Sequence, residues 1–323
     1  MKHYLNWEEG TLHGYLSSAL KPALVIESGD RVVFRTLEAD WRVGDRFITA
    51  SDEGDFFPGR KALDRGHALC GPVYIRGADA GTTLEITIRR IRCGSWGWSR
   101  FGGGDGDHLR QMAFQGAEYF LYWKLDQDQG ICTSHKGHVI RMNPFMGVCA
   151  VAPESPGQIS THQPGAMGAN LDCKEICEGA RLYLPVFVEG ALFSMGDGHA
   201  AQGDGELGCT AIEAPMEEVE VEFKVCDWKQ EYPVCRGKDG WITFGFHRDL
   251  NKAAYQATRE MIKLMQRLYG YEYKEAVAIA SLTVDLRITQ MVNGVRGVHA
   301  LLPDQVIRCR ESSDCTDNKN LMI

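Results

Sequence analysis

The chain has 323 residues, of which 44% are hydrophobic and 24% are charged, so it can bury the core of one large domain or two ordinary ones. Its formal net charge of −8 at pH 7 argues against nucleic acid as a partner, because a phosphate backbone requires a basic surface. No apolar run approaches the ~20 residues of a membrane span, and the first ten residues lack the apolar segment of a secretory signal. We therefore expect a cytoplasmic protein with no membrane partner.

The 11 cysteines are expected to be reduced, because a chain of this size does not depend on disulfides for a stable core. Cys173 and Cys177 are four residues apart, and Cys226 and Cys235 are nine apart. Neither spacing matches the paired cysteines of a zinc knuckle. The sequence therefore favours small, buried, apolar cysteines over ligands.

Short strands dominate the pattern up to residue 250. Residues 23–26 and 31–37 predict one hairpin, and residues 71–75 and 84–91 predict a second. Residues 219–225 alternate strictly between valine or phenylalanine and charged residues, which is typical of a half-buried strand. Residues 94–108 are rich in glycine and contain two tryptophans, and we interpret them as a loop.

The pattern changes after residue 250. Apolar residues spaced three and four apart predict an amphipathic helix over 250–268, and Gly270 provides a stop. A second helix is predicted over 273–282, followed by late strands. No composition change marks a linker, so the sequence predicts one β-rich domain over 1–323 with helices toward its C-terminal end.

The most informative stretch is residues 186–212. It places Asp197, His199, Asp204 and Glu206 within ten positions, among five glycines. An apolar run precedes these residues, and a short β-branched and apolar run follows them. The pattern predicts a strand, a tight glycine-rich loop and a second strand, which would hold polar groups on rigid supports.

The spacing within this stretch suggests a metal site. In a strand, Asp197 and His199 would lie on one face, and Asp204 and Glu206 repeat the spacing. Several carboxylates held close together repel one another, and a divalent cation relieves that repulsion. Imidazole with carboxylates suits zinc, manganese or iron better than calcium alone. Asn170 and Asp172 could reach the same place; the alternative is a polar β-turn whose aspartates cap backbone N–H groups.

Other catalytic arrangements have little support. The chain contains neither GxSxG nor SxxK, so a serine nucleophile is not indicated. Water activated by a metal ion, with a carboxylate to take the proton, fits the residues better. Outside the central stretch, His13 lies beside a glycine and is a candidate, and Trp98 is expected to line a pocket or the core.

Several stretches resemble the acetamidase/formamidase family, and together they extend over roughly residues 10–305. The most specific is LYLPVFVEGALFSMGDGHAAQGDGELGCTAIE at 182–213. The others are GPVYIRGADAGTTLEITI, PFMGVCAVAP, GANLDCKEICEGARLYLPV and SLTVDLRITQMVNGVRGVHALLP. The resemblance implies a mainly β fold, namely a partly open barrel or distorted β-sandwich with a few helices toward the C-terminus (α+β by content). It also implies homo-oligomers, dimeric or higher, that hydrolyse small aliphatic amides to carboxylate and ammonia with a bound divalent metal.

The resemblance also assigns roles to individual residues. Zinc is the expected ion, with calcium, manganese and iron as alternatives. The matched motif positions, together with His13, Trp98 and Glu38, where the family has an aspartate, give this set: metal ligands Asp172, Asp197 and His199; catalytic groups Glu206, Asp204 and Glu213; substrate-binding groups Asn170, Glu38, His13 and Trp98.

Three segments depart from the family pattern. They are residues 13–20, residues 35–41, where Glu38 replaces an aspartate, and the tryptophan-rich residues 94–108. If these segments line the pocket, the substrate differs from formamide or acetamide. Two alternatives therefore stay open: hydrolysis of a larger or cyclic amide, and a non-catalytic protein that binds a small molecule on the same scaffold.

Overall fold

The computed structural model of the chain describes residues 1–45, 55–58, 60–63, 65–103 and 107–308. Within these ranges it contains 21 strands and four helices. In chain order the elements are β1 (Lys2–Asn6), β2 (Leu12–His13), β3 (Tyr15–Leu16), β4 (Leu24–Ile26), β5 (Arg31–Thr36), α1 (Arg60–Leu63), β6 (Leu69–Ile75), β7 (Thr83–Cys93), β8 (Trp96–Phe101), α2 (Asp107–Gln111), β9 (Tyr119–Asp126), β10 (Ile131–Ser134), β11 (Val139–Arg141), β12 (Phe145–Ala150), β13 (Ile159–Ser160), β14 (Gly168–Asn170), β15 (Arg181–Pro185), β16 (Phe193–His199), β17 (Met216–Cys226), β18 (Val234–Arg236), β19 (Gly240–His247), α3 (Leu250–Tyr269), α4 (Tyr273–Thr283), β20 (Asp285–Gln290) and β21 (Arg296–Pro303). The prediction of a mainly β fold with helices toward the C-terminus is confirmed.

The strands form open sheets of different sizes. A nine-stranded sheet has the order β1-β5-β17-β7-β15-β18-β19-β21-β20. A six-stranded sheet has the order β14-β12-β16-β6-β2, with β4 paired to β6. A four-stranded sheet, β11-β10-β9-β8, and the pair β13-β3 complete the described strands. No described helix is long and apolar enough to cross a membrane.

The main core lies between the nine-stranded and six-stranded sheets. Phe34 on β5 and Phe223 on β17 project from the larger sheet, and Phe193 on β16 projects from the smaller one. The ring centroid of Phe193 lies 6.3 Å from that of Phe34 and 5.0 Å from that of Phe223. All three rings are fully buried, and each burial contributes roughly 2–3 kcal/mol. This packing holds β16 rigidly against the larger sheet.

Both predicted hairpins are wrong, although their strands exist. β4 pairs in parallel with β6, whereas β5 pairs with β1 and β17. β6 belongs to the six-stranded sheet, whereas β7 belongs to the nine-stranded sheet. Each short turn therefore carries the chain from one sheet to the other instead of joining neighbouring strands. The predicted loop over 94–108 is also wrong in part, because Trp96–Phe101 forms β8; residues 104–106 lie outside the described ranges.

The helices pack as the apolar spacing predicts. Asp249 caps the start of α3, because its side chain accepts a hydrogen bond from the backbone N–H of Lys252 at 3.1 Å. Gly270 ends α3 in the left-handed conformation at φ 71°. The buried face of α3 lies on β19 and β21. Gly245 permits this close approach, because a Cβ there would lie 2.5 Å from the backbone nitrogen of Ala257.

Candidate functional site

Strand β16 presents the first two site residues. Asp197 and His199 are both buried near the end of this strand, which pairs with β12. His199 Nε2 lies 3.2 Å from Asp197 Oδ1. The two side chains therefore meet, as the spacing predicts, although Asp197 has φ 58° instead of an extended conformation.

Glu213 brings a second carboxylate to His199. It forms isolated bridges to His199 on one side and to Trp98 on the other, so it links β16 to β8. Its Oε1 accepts a hydrogen bond from the backbone N–H of Ala211 at 2.9 Å, and its Oε2 lies 3.2 Å from His199 Nε2. Neighbouring ligands of a tetrahedral zinc ion are separated by about 3.3 Å. Glu213, predicted as a catalytic group, therefore stands where a further ligand could stand.

Asp172 completes the cluster from the loop that follows β14. One carboxylate oxygen from each of Asp172 and Asp197 and one nitrogen of His199 all lie within 4.8 Å of one another. Gly147 on β12 keeps the space between them open, because a Cβ there would lie 2.9 Å from Asp172 Oδ1 and 2.8 Å from His199 Cε1. These residues fit a bound metal ion, since they offer an imidazole and carboxylates around a gap that only glycine leaves.

Several buried polar atoms at this place have no hydrogen-bond partner among the described residues. They include Asp172 Oδ1, His199 Nδ1 and Asn170 Oδ1. A buried polar atom without a partner costs about 1–3 kcal/mol. A cation with its bound waters would satisfy such acceptors, so this observation supports the same fit.

Electrostatics also favour a positive charge in the cluster. Burial raises the pKa of Asp172 well above its usual range, and the carboxyls of Glu206 and Asp197 raise it further. Burial alone would lower the pKa of His199, but the carboxylates of Glu213 and Asp197 raise it well above its ordinary value. Burial would likewise raise the pKa of Asp197, but His199 holds it well below its usual range. Either a proton on His199 or a divalent cation supplies the compensating charge.

Glu206 faces the cluster through a shared amide. Asn293 Nδ2 lies 3.1 Å from Asp172 Oδ2, 3.4 Å from Glu206 Oε2 and 2.7 Å from Gln290 Oε1. Three acceptors thus compete for its two N–H groups. Gln290 in turn donates to the backbone carbonyl of Asn170 at 2.8 Å. Burial raises the pKa of Glu206 to about 8. Asn293 and Gln290 were not predicted as site residues, although both lie in the late stretch that resembles the family.

A cavity of about 400 Å³ opens above the cluster. Its polar floor includes Asp197, His199, Glu206, Glu213, Asn170 and Asn293. Trp41, Trp98, His67, His162, Arg65 and Arg100 stand around it. Asp197, His199 and Glu206 therefore adjoin a space that a small molecule can enter, with aromatic and basic walls, and Asp172 lies beneath them.

The backbone is strained around this cavity. Trp41, Asp172, Asp197, Glu206 and Asn293 all have positive φ values, between 45° and 67°. Residues other than glycine rarely adopt positive φ values. Such strain is found at functional sites because the surrounding packing enforces it. The strain thus falls on the residues that the geometry brings together.

Glu38 is buried one step behind the cavity wall. Its Oε2 accepts a hydrogen bond from Trp98 Nε1 at 2.7 Å, and its Oε1 accepts one from the backbone N–H of Arg42 at 2.5 Å. Burial, with a contribution from Asp40, raises its pKa to about 8. Glu38 does not line the cavity itself; instead it fixes the orientation of Trp98, which does.

Two predicted site residues lie apart from the cluster. Asp204 has a partly exposed side chain that pairs with Lys174 Nζ at 3.0 Å, outside the cavity lining. His13 is buried, with Nδ1 2.8 Å from the carbonyl of Tyr15 and Nε2 2.9 Å from Ser194 Oγ. Burial lowers its pKa to about 4. The structure therefore brings together Asp172, Asp197, His199, Glu206, Glu213, Asn170 and Trp98, but not Asp204 or His13.

Comparisons with known proteins identify a family that the region around the cluster resembles. The model of the acetamidase/formamidase family matches residues 155–235, which contain the cluster apart from Asn293. The formamidase of Methylophilus methylotrophus is 48% identical, and the match covers 64% of this chain and 62% of that protein. The aligned region thus spans about three fifths of the length of the curated relatives.

Solved structures match over most of the chain. A protein described as a predicted acetamidase/formamidase from Thermoanaerobacter tengcongensis superposes with a TM-score of 0.82 and 28% identity, covering 94% of this chain and 96% of that one. The acetamidase of Bacillus halodurans gives a TM-score of 0.80 and 27% identity, covering 93% and 97%. Together with the motifs around Asp197 and His199, these findings show that the chain is similar to the acetamidase/formamidase family in sequence and in fold.

Proposed function

We propose that this protein hydrolyses the C–N bond of a small amide to a carboxylate and ammonia, with a divalent metal ion at the cavity floor. The observation that carries the proposal is the convergence of Asp172, Asp197 and His199 around Gly147 beneath the cavity. The formamidase and acetamidase names of its relatives supply the reaction class.

Asp172, Asp197 and His199 would hold the ion, with Glu213 beside His199. When bound, a divalent cation polarises a carbonyl group and lowers the pKa of a neighbouring water. Zinc is the proposed ion because imidazole and carboxylate oxygens suit it, and metal analysis would separate it from manganese, iron and calcium.

Glu206 is the proposed proton carrier. It lines the cavity, and Asn293 links its carboxyl to that of Asp172. It would take a proton from the attacking water and deliver it to the amide nitrogen, so that the C–N bond breaks and ammonia leaves. Asp204, the alternative carrier, is less suitable because its carboxylate pairs with Lys174 away from the cavity.

The cavity also bears on substrate size. A volume of about 400 Å³ exceeds the space that formamide or acetamide needs, and it lies within the usual range for small-molecule pockets. Trp41 and Trp98 provide apolar surface for a longer acyl group. This observation favours a larger aliphatic or cyclic amide as the second candidate substrate.

One experiment tests both readings. The purified protein is stripped with a chelator, restored with zinc, and assayed on a panel of linear and cyclic amides. Ammonia is measured for linear amides and the ring-opened product by chromatography for cyclic ones. We expect turnover of at least one amide, a fall of roughly 10⁴-fold after stripping, and recovery with zinc. Undiminished turnover in verified metal-free protein would remove the ion from the mechanism, and no turnover by the zinc form would favour a non-catalytic binding protein.

The resemblance also implies an assembly state and a location. We infer a homo-oligomer, dimeric or higher, which sedimentation velocity would detect. We also infer a cytoplasmic location, which fractionation of the source cells would check. Neither bears on the chemistry of the cluster.

A further inference from the structure

A second group of ligand-type side chains lies directly behind the site. Cys173 follows Asp172 in the chain, Glu175 comes two residues later, and His299 lies on β21. One ligand atom from each lies within 4.8 Å of the others. Cys173 Sγ is 3.2 Å from Glu175 Oε2, and His299 Nε2 is 3.9 Å from the same oxygen. Neighbouring sulfur, oxygen and nitrogen ligands of tetrahedral zinc are separated by about 3.3–3.5 Å.

The imidazole of His299 is held in a way that suits a ligand. Its Nδ1 lies 2.8 Å from Thr289 Oγ1, which fixes the plane of the ring. Its Nε2 is fully buried, points toward Glu175 and has no hydrogen-bond partner among the described residues. Metal-binding histidines commonly have one nitrogen held by such a hydrogen bond while the other binds the ion.

We propose that Cys173, Glu175 and His299 form a second metal site, structural in role, that takes zinc or a similar thiolate-binding divalent cation. A thiolate with an imidazole selects zinc over magnesium or calcium, which prefer oxygen ligands alone. The site does not depend on amide hydrolysis, and it is not the cluster that faces the cavity.

The charges of the ion and of its own ligands sum to zero when the ion binds. Without an ion, the Cys173 thiol donates a hydrogen bond to Glu175 Oε2 at 3.2 Å. Binding breaks the S–H bond, forms a metal–sulfur bond and releases the proton to solvent. The thiolate, the Glu175 carboxylate and a divalent cation then sum to zero, and the guanidinium of Arg287, 3.3 Å from the other Glu175 oxygen, adds one positive charge at the edge of the site. The Lys174–Asp204 pair beside the site is neutral as a whole.

The position of the site gives it a structural consequence. Asp172 has φ 45°, and its carbonyl accepts a hydrogen bond from Gln202 Nε2 at 2.9 Å. An ion on Cys173 would fix the residue immediately after this strained aspartate. It would also tie the loop to β21 through His299. None of its three ligands lines the cavity, so the ion would position Asp172 without touching substrate.

Cobalt provides the test, because a thiolate–cobalt bond gives a charge-transfer band in the near ultraviolet that oxygen and imidazole ligands do not give. Chelator-treated full-length protein is titrated with Co²⁺, and the band is followed alongside thermal melting. We expect the band in the wild type and its loss in Cys173→Ser. No band in the wild type, or a band that persists in folded Cys173→Ser, would overturn the site.

Two cysteine variants serve as matched controls. Cys226 also directs its thiol at a glutamate, with Sγ 3.7 Å from Glu85 Oε2, but it is not part of a described metal-type cluster. Cys209 lines the cavity and could reach an ion there. Cys226→Ser and Cys209→Ser must both keep the band, and its loss in either would contradict the assignment.

A conservative variant covers the case in which Cys173→Ser fails to fold. Glu175→Gln keeps the size of the side chain but removes the charged ligand. We expect the Co²⁺ concentration at half-saturation of the band to rise at least about tenfold, since a ligand of the ion is lost. An unchanged titration would exclude Glu175 and with it the proposed site.

Discussion

Two buried ligand clusters begin at successive residues of one loop, and they differ in what they face. Asp172 points toward Asp197 and His199 at the floor of a 400 Å³ cavity. Cys173 lies instead beside Glu175 and His299, and none of these three residues lines that cavity. Adjacent residues of one loop thus belong to a cluster that faces the cavity, the open cluster, and to one that does not, the closed cluster. Access to a cavity, rather than ligand type alone, therefore distinguishes a site suited to catalysis from a site suited to stabilising the fold.

The clusters differ in charge compensation as well. The carboxylate of Glu175 has the guanidinium of Arg287 beside it. In the cavity cluster, Asp172, Asp197 and Glu213 share one imidazole. Without a cation, a proton on His199 must therefore balance the negative charge of the open cluster. In the closed cluster, Arg287 already balances the charge of Glu175. We expect the open cluster to be the more sensitive to changes of its acidic groups.

The largest expected effect concerns the open cluster and its proton carrier. Glu206→Gln removes the titrating carboxyl but keeps its shape, so kcat should fall roughly 10³-fold while zinc content stays unchanged. Asp204→Asn, the matched control two residues earlier, should lower kcat by less than about threefold, because an exposed ion pair contributes little. Steady-state kinetics with metal analysis measure both. If kcat falls equally in the two variants, the partly exposed Asp204–Lys174 pair is as important for turnover as Glu206 at the cavity floor.

Crowding the open cluster should have the next largest effect. Gly147→Ala places a methyl group among Asp172, Asp197 and His199, so we expect zinc affinity to fall roughly 10²-fold, as overpacking costs about 1–3 kcal/mol. Gly203→Ala is the matched control, because nothing lies within 4 Å of its Cβ position. Competition titration with a chromophoric chelator, carried out in the Cys173→Ser background so that the second cluster does not bind zinc, gives both affinities. Wild-type affinity in Gly147→Ala would show that the ion binds elsewhere.

A smaller effect is expected at the amide that joins the carboxyls. Asn293→Ala removes the N–H groups that contact Asp172 and Glu206. Loss of a group that orients a ligand typically costs 10–100-fold, so we expect a fall of about tenfold in kcat. Asn143→Ala, whose amide donates to the backbone carbonyl of Lys174 at 3.3 Å, is the control. If kcat is unchanged in Asn293→Ala, the carboxyls hold their positions without it.

The sequence predicted the parts of the open site that are close together in the chain. Asp197 and His199 meet because they are two apart at the end of one strand. The same spacing argument fails for Asp204 and Glu206. Gly205 has φ 96° and Glu206 has φ 45°, so the chain turns between them and sends one carboxyl outward and the other inward. Local periodicity assumes an extended backbone, and the strained loop violates that assumption.

Partners that are distant in the chain could not be found from spacing. Asn293 contacts Glu206 across 87 residues and Asp172 across 121, and His299 is more than 120 residues from Cys173. Alternation likewise identified strands such as residues 219–225 but not their partners, so both hairpins were assigned wrongly. The period of a strand reports which face is buried, whereas pairing is decided by how two sheets stack.

The smallest effect concerns a third buried carboxyl, which extends the comparison to stability. Glu38 accepts hydrogen bonds from the indole N–H of Trp98 and the backbone N–H of Arg42, both of which are neutral. Burial raises its pKa to about 8 from an ordinary value of 4.5. Between those two pH values the folded state holds a proton that the unfolded state has lost. The stabilisation of the folded state by this proton is therefore fully present below a pH of about 4.5. It is lost as the pH rises toward 8, where the free energy of unfolding falls by at most about 1.4 kcal/mol per pH unit.

Glu38→Gln should abolish this slope, because the amide keeps the shape of the side chain and does not titrate. The free energy of unfolding in urea, measured between about pH 5 and pH 8, should therefore fall less steeply for Glu38→Gln than for the wild type. Glu27→Gln, whose exposed side chain pairs with Arg76, should keep the wild-type slope. If the free energy of unfolding changes with pH equally in Glu38→Gln and the wild type, Glu38 is ionised in the folded protein. Its two N–H donors would then be enough to stabilise a buried charge behind Trp98.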